Sequence, residues 1–267
     1  MHPLRTFAVF TALGFRRFSA YRLATAAGAF TNTVFGLIKA SITVGVIGAA
    51  GGELAGYDAL TGATYAWLTQ AIIAPVQIFA WDELAQRIRT GDIAVDLARP
   101  VDLQMTYLAG DLGRAAFQVL PRGLPPLVAG ALVTGLALPH TALPYLLGAL
   151  ALLLGVVVSF LCRWLVNIAA FWLVELRGLM TLYVVSVGAF SGVLIPVHWF
   201  PSWLASVAAA SPFPSMVQTP VDLLMGRVEG APALRLLAVQ VLWVLMIGVA
   251  GRVALRRGVR TVVVQGG

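Results

Sequence analysis

Lys39 is the only lysine in the 267-residue chain, and it stands in the stretch Phe35-Gly36-Leu37-Ile38-Lys39-Ala40-Ser41. A nucleotide-binding P-loop, Gly-x-x-x-x-Gly-Lys-Ser/Thr, sets its lysine directly after a glycine and before a hydroxyl residue, because backbone amides, ammonium and hydroxyl together hold the phosphates and their metal. Lys39 has isoleucine before it and alanine after it, so nucleotide chemistry by a P-loop is excluded. His2, His140 and His198 are too dispersed for a His-Glu-x-x-His zinc site, and no Gly-x-Ser-x-Gly nucleophile elbow occurs. Cys162, the single cysteine, rules out an internal disulfide or a multi-cysteine metal site and, in an apolar run beside Arg163, reads as an inert helix residue. No cofactor or metal is expected on this chain.

The remaining chemistry is charge, and it gathers between Asp82 and Asp102. Asp82 and Glu83 sit at the amino end of a predicted short helix, Asp-Glu-Leu-Ala-Gln-Arg-Ile-Arg, with Arg87 and Arg89 at its carboxyl end, both pairs complementing the helix dipole. Gly91 is placed to stop this helix, Asp92 to cap a second one carrying Ile93 and Leu97 on one face, Pro100 to end that, and Asp102 to cap the third span. Trp81 before it reads as an interfacial anchor. A surface that keeps apolar residues between its charges suits a docked partner. The candidate docking residues are Glu83, Arg87, Arg89, Gly91, Asp92, Asp96, Leu97, Arg99 and Pro100.

The elements that must position this stretch are membrane spans. The chain is 60% hydrophobic and 11% charged, its apolar residues fall in long runs, and a helical span needs about 20 of them. Six spans are predicted: Leu23 to Gly48, Ala63 to Ala80, one within Asp102 to Leu138 and most secure from Gly123, Leu143 to Val174, Gly178 to Ile195, and Leu234 to Val253. Pro196 ends the fifth, and Glu175 with Arg177 makes a tight turn before it. Residues 1–22 mix Arg5, Arg16, Arg17 and Arg22 with phenylalanines, as an amphipathic interfacial helix does, and their basic part is too long for a cleaved signal. From His198 to Pro232 the chain is rich in Pro, Ser, Trp and Phe without one clean apolar run, which predicts short re-entrant or interfacial helices.

The formal net charge of +7 comes from arginines at the ends of apolar runs, a pattern of lipid headgroups and topology rather than of nucleic acid. The amino-terminal segment, the Arg87–Arg99 stretch, Arg177 and Arg256, Arg257 and Arg260 share one side. The positive-inside rule makes that side, and both termini, cytoplasmic.

Four charges need a place near the bilayer. Lys39 lies about 24 Å along the first span, so it either snorkels to the outer boundary or marks a polar path; Asn32 and Thr33 nearby read as polar packing between helices or part of that path, to which Asn167 would add. Arg163 is about 30 Å along the fourth span and is expected to snorkel at the cytoplasmic interface. Asp111 and Arg114, three apart, are expected to pair locally on a solvated or interfacial helix.

Taken together, "GDIAVDLARPVD", "RGLP" at Arg122–Pro125, "AFWLVELRGL" at Ala170–Leu179, "SGVLIPVHWFPSWL" at Ser191–Leu204 and "SPFPSMVQTPVDLLMGR" at Ser211–Arg227 resemble the permease subunits of bacterial ABC-2 type exporters, nearest to small six-span permeases paired with a second, related permease. The resemblance implies an all-α polytopic membrane protein with an elbow helix at 1–22, a coupling helix within 81–102 and an extracellular re-entrant hairpin within 196–233. It implies two separate ATPase subunits that bind the ATP and Mg, a second permease that is a related chain or a second copy, and residence in the bacterial cytoplasmic membrane. Asn32, Lys39 and Asn167 would line the pathway, and His198, Trp199, Phe200, Pro201 and Trp203 would form the hairpin that closes its exit or an aromatic belt at the headgroups. Hydrophobic drugs, natural products, lipids and polysaccharides are the family's substrates, and the expectation here is a hydrophobic or amphipathic one. An ion-driven carrier is the alternative, but it would show internal repeats and midplane carboxylates, and neither is evident; a scaffold that transports nothing is a further one.

Overall fold

The computed structural model describes residues 3–79 and 81–260. Met1 and His2 of the expected elbow, Ala80 at the expected end of the second span, and residues 261–267 of the basic tail lie outside the described residues. Within them the chain is all-helical, without a β-strand. Twelve α-helices follow in order among the described residues: α1 (Pro3–Ser19), α2 (Arg22–Ala49), α3 (Ala59–Val76), α4 (Glu83–Thr90), α5 (Ile93–Leu97), α6 (Leu103–Gln118), α7 (Leu124–Val133), α8 (Ala142–Ile168), α9 (Arg177–Phe190), α10 (Ser202–Ala209), α11 (Gln218–Leu224) and α12 (Gly230–Val259).

Four helical segments are long and apolar enough to cross a membrane: Arg22–Ala49, Leu103–Val133, Ala142–Phe171 and Gly230–Val259. The second of these resolves the ambiguous start at Asp111 and Arg114, because α6 and α7 are one rod joined by a π-turn at Val119–Gly123. Pro121 cannot donate into the ladder, and a wider turn accommodates it. α12 begins four residues before Leu234, and α9 stops at Phe190 rather than at Pro196. Gly192, with φ +87°, turns the chain there, a conformation that strongly favours glycine.

α3 is the axis of the fold. Asp58 caps it, accepting from the Thr61 amide at 2.8 Å in a reciprocal capping box. Its apolar residues run round every face, and all but a few of its side chains are buried, as expected of a helix enclosed by others. α2 lies along it through the buried stripe Asn32, Gly36, Ala40, Thr43 and Ile47, with Gly36 under the Trp67 ring, while Phe30, Phe35, Ile38 and Ile42 face outward. α8 closes the other side, its small residues Gly148 and Gly155 admitting Leu224 and the backbone of Ser215 and Met216.

α1 is attached more tightly than an interfacial helix need be. A Cβ on Gly14 would enter the Gly110 carbonyl of α6, and one on Gly113 would enter the Thr11 carbonyl, so the two backbones touch. Phe15 and Phe117 meet edge-on at 5.4 Å beside that contact.

Candidate functional site

The charged stretch forms the two short helices expected of it. Gly91 ends α4 at φ +83°, and Asp102 accepts from the Met105 amide at 2.8 Å to begin α6. Asp92 does not cap α5 with its side chain; its carboxylate takes the Thr90 hydroxyl at 2.7 Å instead. Leu84, Ala85, Ile93 and Asp96 face inward, whereas Arg89, Gly91, Asp92, Val95, Arg99 and Pro100 are exposed, and Glu83, Arg87 and Leu97 lie between. Arg87 donates to Asp96 at 2.6 Å, and this carboxylate holds the guanidinium above its ordinary pKa. The Tyr107 hydroxyl of α6 meets the same carboxylate oxygen at 3.3 Å.

Asn167, expected on a pathway, is fully buried and clamps this stretch to α8. Its Oδ1 accepts from the Ala85 amide at 3.0 Å, and its Nδ2 lies 2.5 Å from the Trp81 carbonyl and 2.8 Å from the Arg163 carbonyl. The Ala85 amide is one of the first-turn donors that an α-helix leaves without an internal partner, so the side chain completes the start of α4. Trp81 packs edge-on to Tyr107, which in turn lies 5.6 Å from Trp164.

Above this clamp the charges expected at the surface are inside. Arg163 does not snorkel: its side chain is 2% exposed and donates to Asp111 Oδ2 at 2.9 Å. Arg114, paired locally with Asp111 Oδ1 at 2.8 Å as its spacing predicts, is 3% exposed rather than solvated. The other two nitrogens of Arg114 donate to the Ala74 and Pro75 carbonyls at 2.8 and 2.9 Å, which end α3. These are carbonyls the helix cannot satisfy itself, so one guanidinium ties the axis of the fold to α6 while one carboxylate ties α6 to α8.

At the opposite end a second network encloses Lys39. The ammonium does not snorkel; it donates to Thr69 Oγ1 at 2.5 Å and the Val193 carbonyl at 2.6 Å, 5.3 Å from the Tyr65 ring centroid. The Tyr65 hydroxyl lies 2.7 Å from both the Gly192 carbonyl and Gln218 Oε1, which also accepts from the Val197 amide at 2.8 Å. Gln218 Nε2 donates to Asp222 Oδ1 at 2.9 Å, and Asp222 Oδ2 is 2.8 Å from His198 Nε2. Arg227 stacks 3.7 Å over Tyr57 and donates to the Gly56 carbonyl. Burial and the neighbouring Asp222 push the Tyr57 hydroxyl well above its ordinary pKa.

Of the predicted hairpin residues, the network takes in His198 directly and Trp199 by its edge contact with Tyr57 at 6.0 Å. Phe200 and Pro201 lead into the short α10, which begins at Ser202, and Trp203 on it is 67% exposed. Asn32, also a predicted pathway residue, is buried between helices, donating to the Gln70 carbonyl and accepting from Arg122. Gln218, Asp222 and Tyr65 were not singled out by their sequence; the spacing of Gln218 and Asp222, four apart, was the available signal.

Four helical segments long and apolar enough to cross a membrane thus carry a charged stretch fastened to α8 and α6. Residues 36–266 match the family model described as ABC-2 family transporter protein. The chain belongs to that family. No curated protein and no solved structure matches it. As an ABC-2 family protein it is a membrane subunit of an ABC transporter, a transmembrane component rather than the ATPase itself. The match begins inside α2, so α1 lies outside it, while Gly110 and Gly113 of α6, which α1 packs on, lie within it.

Proposed function

We propose that this chain forms the pathway of an ATP-driven exporter and receives force from a separate ATPase through Glu83–Pro100. The observation that carries the reading is the seat of that segment. Its inner face is fixed to α8 by Asn167 and to α6 through Asp96 and Tyr107, while Arg89, Asp92, Val95 and Arg99 stay exposed for a partner. A push on the exposed face is thus carried by hydrogen bonds into two long helices.

In this reading α2, α3, the α6–α7 rod, α8, α9 and α12 are the six spans, α1 is an elbow helix on the cytoplasmic face, and residues 196–233 form an outer re-entrant hairpin. α3 and α9 are shorter than the other four; α3 is enclosed by its neighbours and needs little lipid-facing surface. The arginine distribution supports cytoplasmic termini in a bacterial inner membrane. Two ATPase subunits bind the ATP and Mg, a second permease, related or identical, completes the complex, and the cargo is hydrophobic or amphipathic. His198, Trp199, Phe200, Pro201 and Trp203 close the exit, with Lys39 beneath them as the pathway's polar residue.

The experiment is purification of the chain with its co-purifying partners, followed by ATP-dependent movement of a lipophilic dye in reconstituted vesicles. Movement that needs ATP and a bound ATPase supports the reading. Movement driven by an ion gradient with the chain alone would overturn it. Asp92→Arg, on the exposed face, is expected to weaken ATPase association while membrane insertion stays normal.

A further inference from the structure

A cavity of about 370 Å3 lies between α1, the α4–α5 stretch, α6 and α8, within the range of small-ligand pockets at about 300–1,000 Å3. Its deep end is the Arg163 and Arg114 pair, whose two guanidiniums share the single Asp111 carboxylate. Arg114 is saturated, with each nitrogen on a carboxylate or carbonyl oxygen. Arg163 is held by fewer bonds: Nη2 is on Asp111, Nε is 3.5 Å from Ser159 Oγ, and the side chain lines the cavity. Two nearly buried guanidiniums that share one carboxylate leave a surplus positive charge beside the cavity, which an anion would compensate.

The mouth of the same cavity carries the same sign. Arg99 lines it with no ion pair among the described residues, while the Arg17 and Arg87 there are each matched by one carboxylate, Glu83 and Asp96. Its walls are apolar and aromatic: Phe10 and Phe18 from α1, Trp81 and Phe160 opposite. Arg163 and Arg99 both line the cavity and offer guanidinium donors to an acceptor-rich anion, and the phenylalanines of α1 offer an apolar surface to a tail. α1 is the amphipathic helix of the fold, basic at its end with Arg16 and Arg17 and carrying exposed Leu4, Val9, Leu13 and Phe15, which places the opening at a lipid interface.

We infer that this cavity is a binding site for an anionic phosphate group, held by Arg163 and Arg99 and supplied by the headgroup of an anionic phospholipid. Bound there, the phosphate links the α4–α5 stretch to α8 across the cavity and neutralises the surplus charge beside Asp111. This site is independent of which cargo the protein moves.

The test uses the purified full chain in detergent, with its melting temperature followed on titration of dioleoyl phosphatidylglycerol, dioleoyl phosphatidylcholine, sodium phosphate, or sodium chloride matched in ionic strength. Stabilisation by phosphatidylglycerol alone, weakened about tenfold or more in apparent affinity by Arg99→Gln and by Arg163→Lys, supports the lipid source. Equal stabilisation by inorganic phosphate with the same losses would keep the anion site and replace the lipid by free phosphate. Arg99→Gln touches no buried pair and so reads out binding even where Arg163→Lys fails to fold; Arg235→Gln, on α12 and away from the cavity, should leave binding unchanged. The inference is overturned if neither anion stabilises more than phosphatidylcholine or chloride, or if the effect survives in Arg99→Gln.

Discussion

Asn167 on α8 accepts a hydrogen bond from the Ala85 amide of α4 at 3.0 Å, with neither residue exposed to solvent. The contact joins residues 82 apart in the chain and is the point where the charged stretch is fastened to a long helix. Replacing Asn167 by Ala leaves a buried amide and the Trp81 carbonyl without their partner, at a cost of about 1–3 kcal/mol. If force enters through α4–α5 as proposed, the Asn167→Ala protein is expected to insert and to bind the ATPase, since the exposed face of α4–α5 is unaltered, yet to lose most ATP-coupled transport. Vesicle transport measured beside ATPase co-purification separates the two. Wild-type transport in this variant would show that force takes another route.

The Asp111 carboxylate is, among the described residues, the only acid paired with the two nearly buried guanidiniums, so Asp111→Asn should be more damaging than an ordinary surface charge change. Breaking a buried pair from one side costs about 3–5 kcal/mol, because the partner charge stays where it is. The expected result is a large fall in melting temperature and in detergent-extracted yield. Adding Arg114→Met to Asp111→Asn should recover none of that loss if the Ala74 and Pro75 carbonyls matter as the geometry indicates, since those carbonyls then lose their donor as well.

These two pairs also show what was legible in the residues. Gly91 and Asp102 were readable, because a stop and a cap are satisfied within a turn of themselves. So was the Asp111–Arg114 pair, three residues apart. The third member was not: Arg163 is 52 residues from Asp111, and its position along a long apolar helix pointed to the interface until packing against α6 supplied an acid. Lys39 could equally have reached outward, and it is Thr69 and the Val193 carbonyl, from α3 and the segment after α9, that turn it inward. Asn167 read as polar lining because nothing local shows that a helix 82 residues earlier needs its amide capped. The turn at Gly192 interrupts an apolar run that continues to Pro196, so the run alone sets the end of the helix too late.

Gly113→Val tests the attachment of α1. A side chain at Gly113 enters the Thr11 carbonyl, and backbone cannot yield as a side-chain tip can. The variant is expected to release α1 from α6 while leaving the rest of the bundle folded, since α1 packs chiefly on α6. Limited proteolysis should then cut near Ser19, between α1 and α2, at least several-fold faster than in the wild type. Overpacking of this kind costs about 1–3 kcal/mol where the structure can shift, and more where it cannot. An unchanged cleavage rate would mean that α1 accommodates the added carbons by sliding along α6.

Lys39→Met tests whether the lysine holds the segment after α9 in place. Its ammonium is bonded to Thr69 on α3 and to the Val193 carbonyl, one residue past the Gly192 turn, so it ties the segment after α9 to the axis of the fold. Methionine keeps most of the length and apolar bulk but donates nothing. Losing a hydrogen bond from a charged donor costs about 1.5–3 kcal/mol, equivalent to about a ten- to hundredfold rise in local opening. Amide exchange at Val193 to Phe200 should therefore quicken by that factor, while exchange in α4 and α5 at the far end stays as it was. Because Gln218 still binds Tyr65 and the Val197 amide, this segment should loosen rather than detach. Faster exchange spread evenly over both ends would instead mean that Lys39 supports the whole bundle and has no particular hold on this segment.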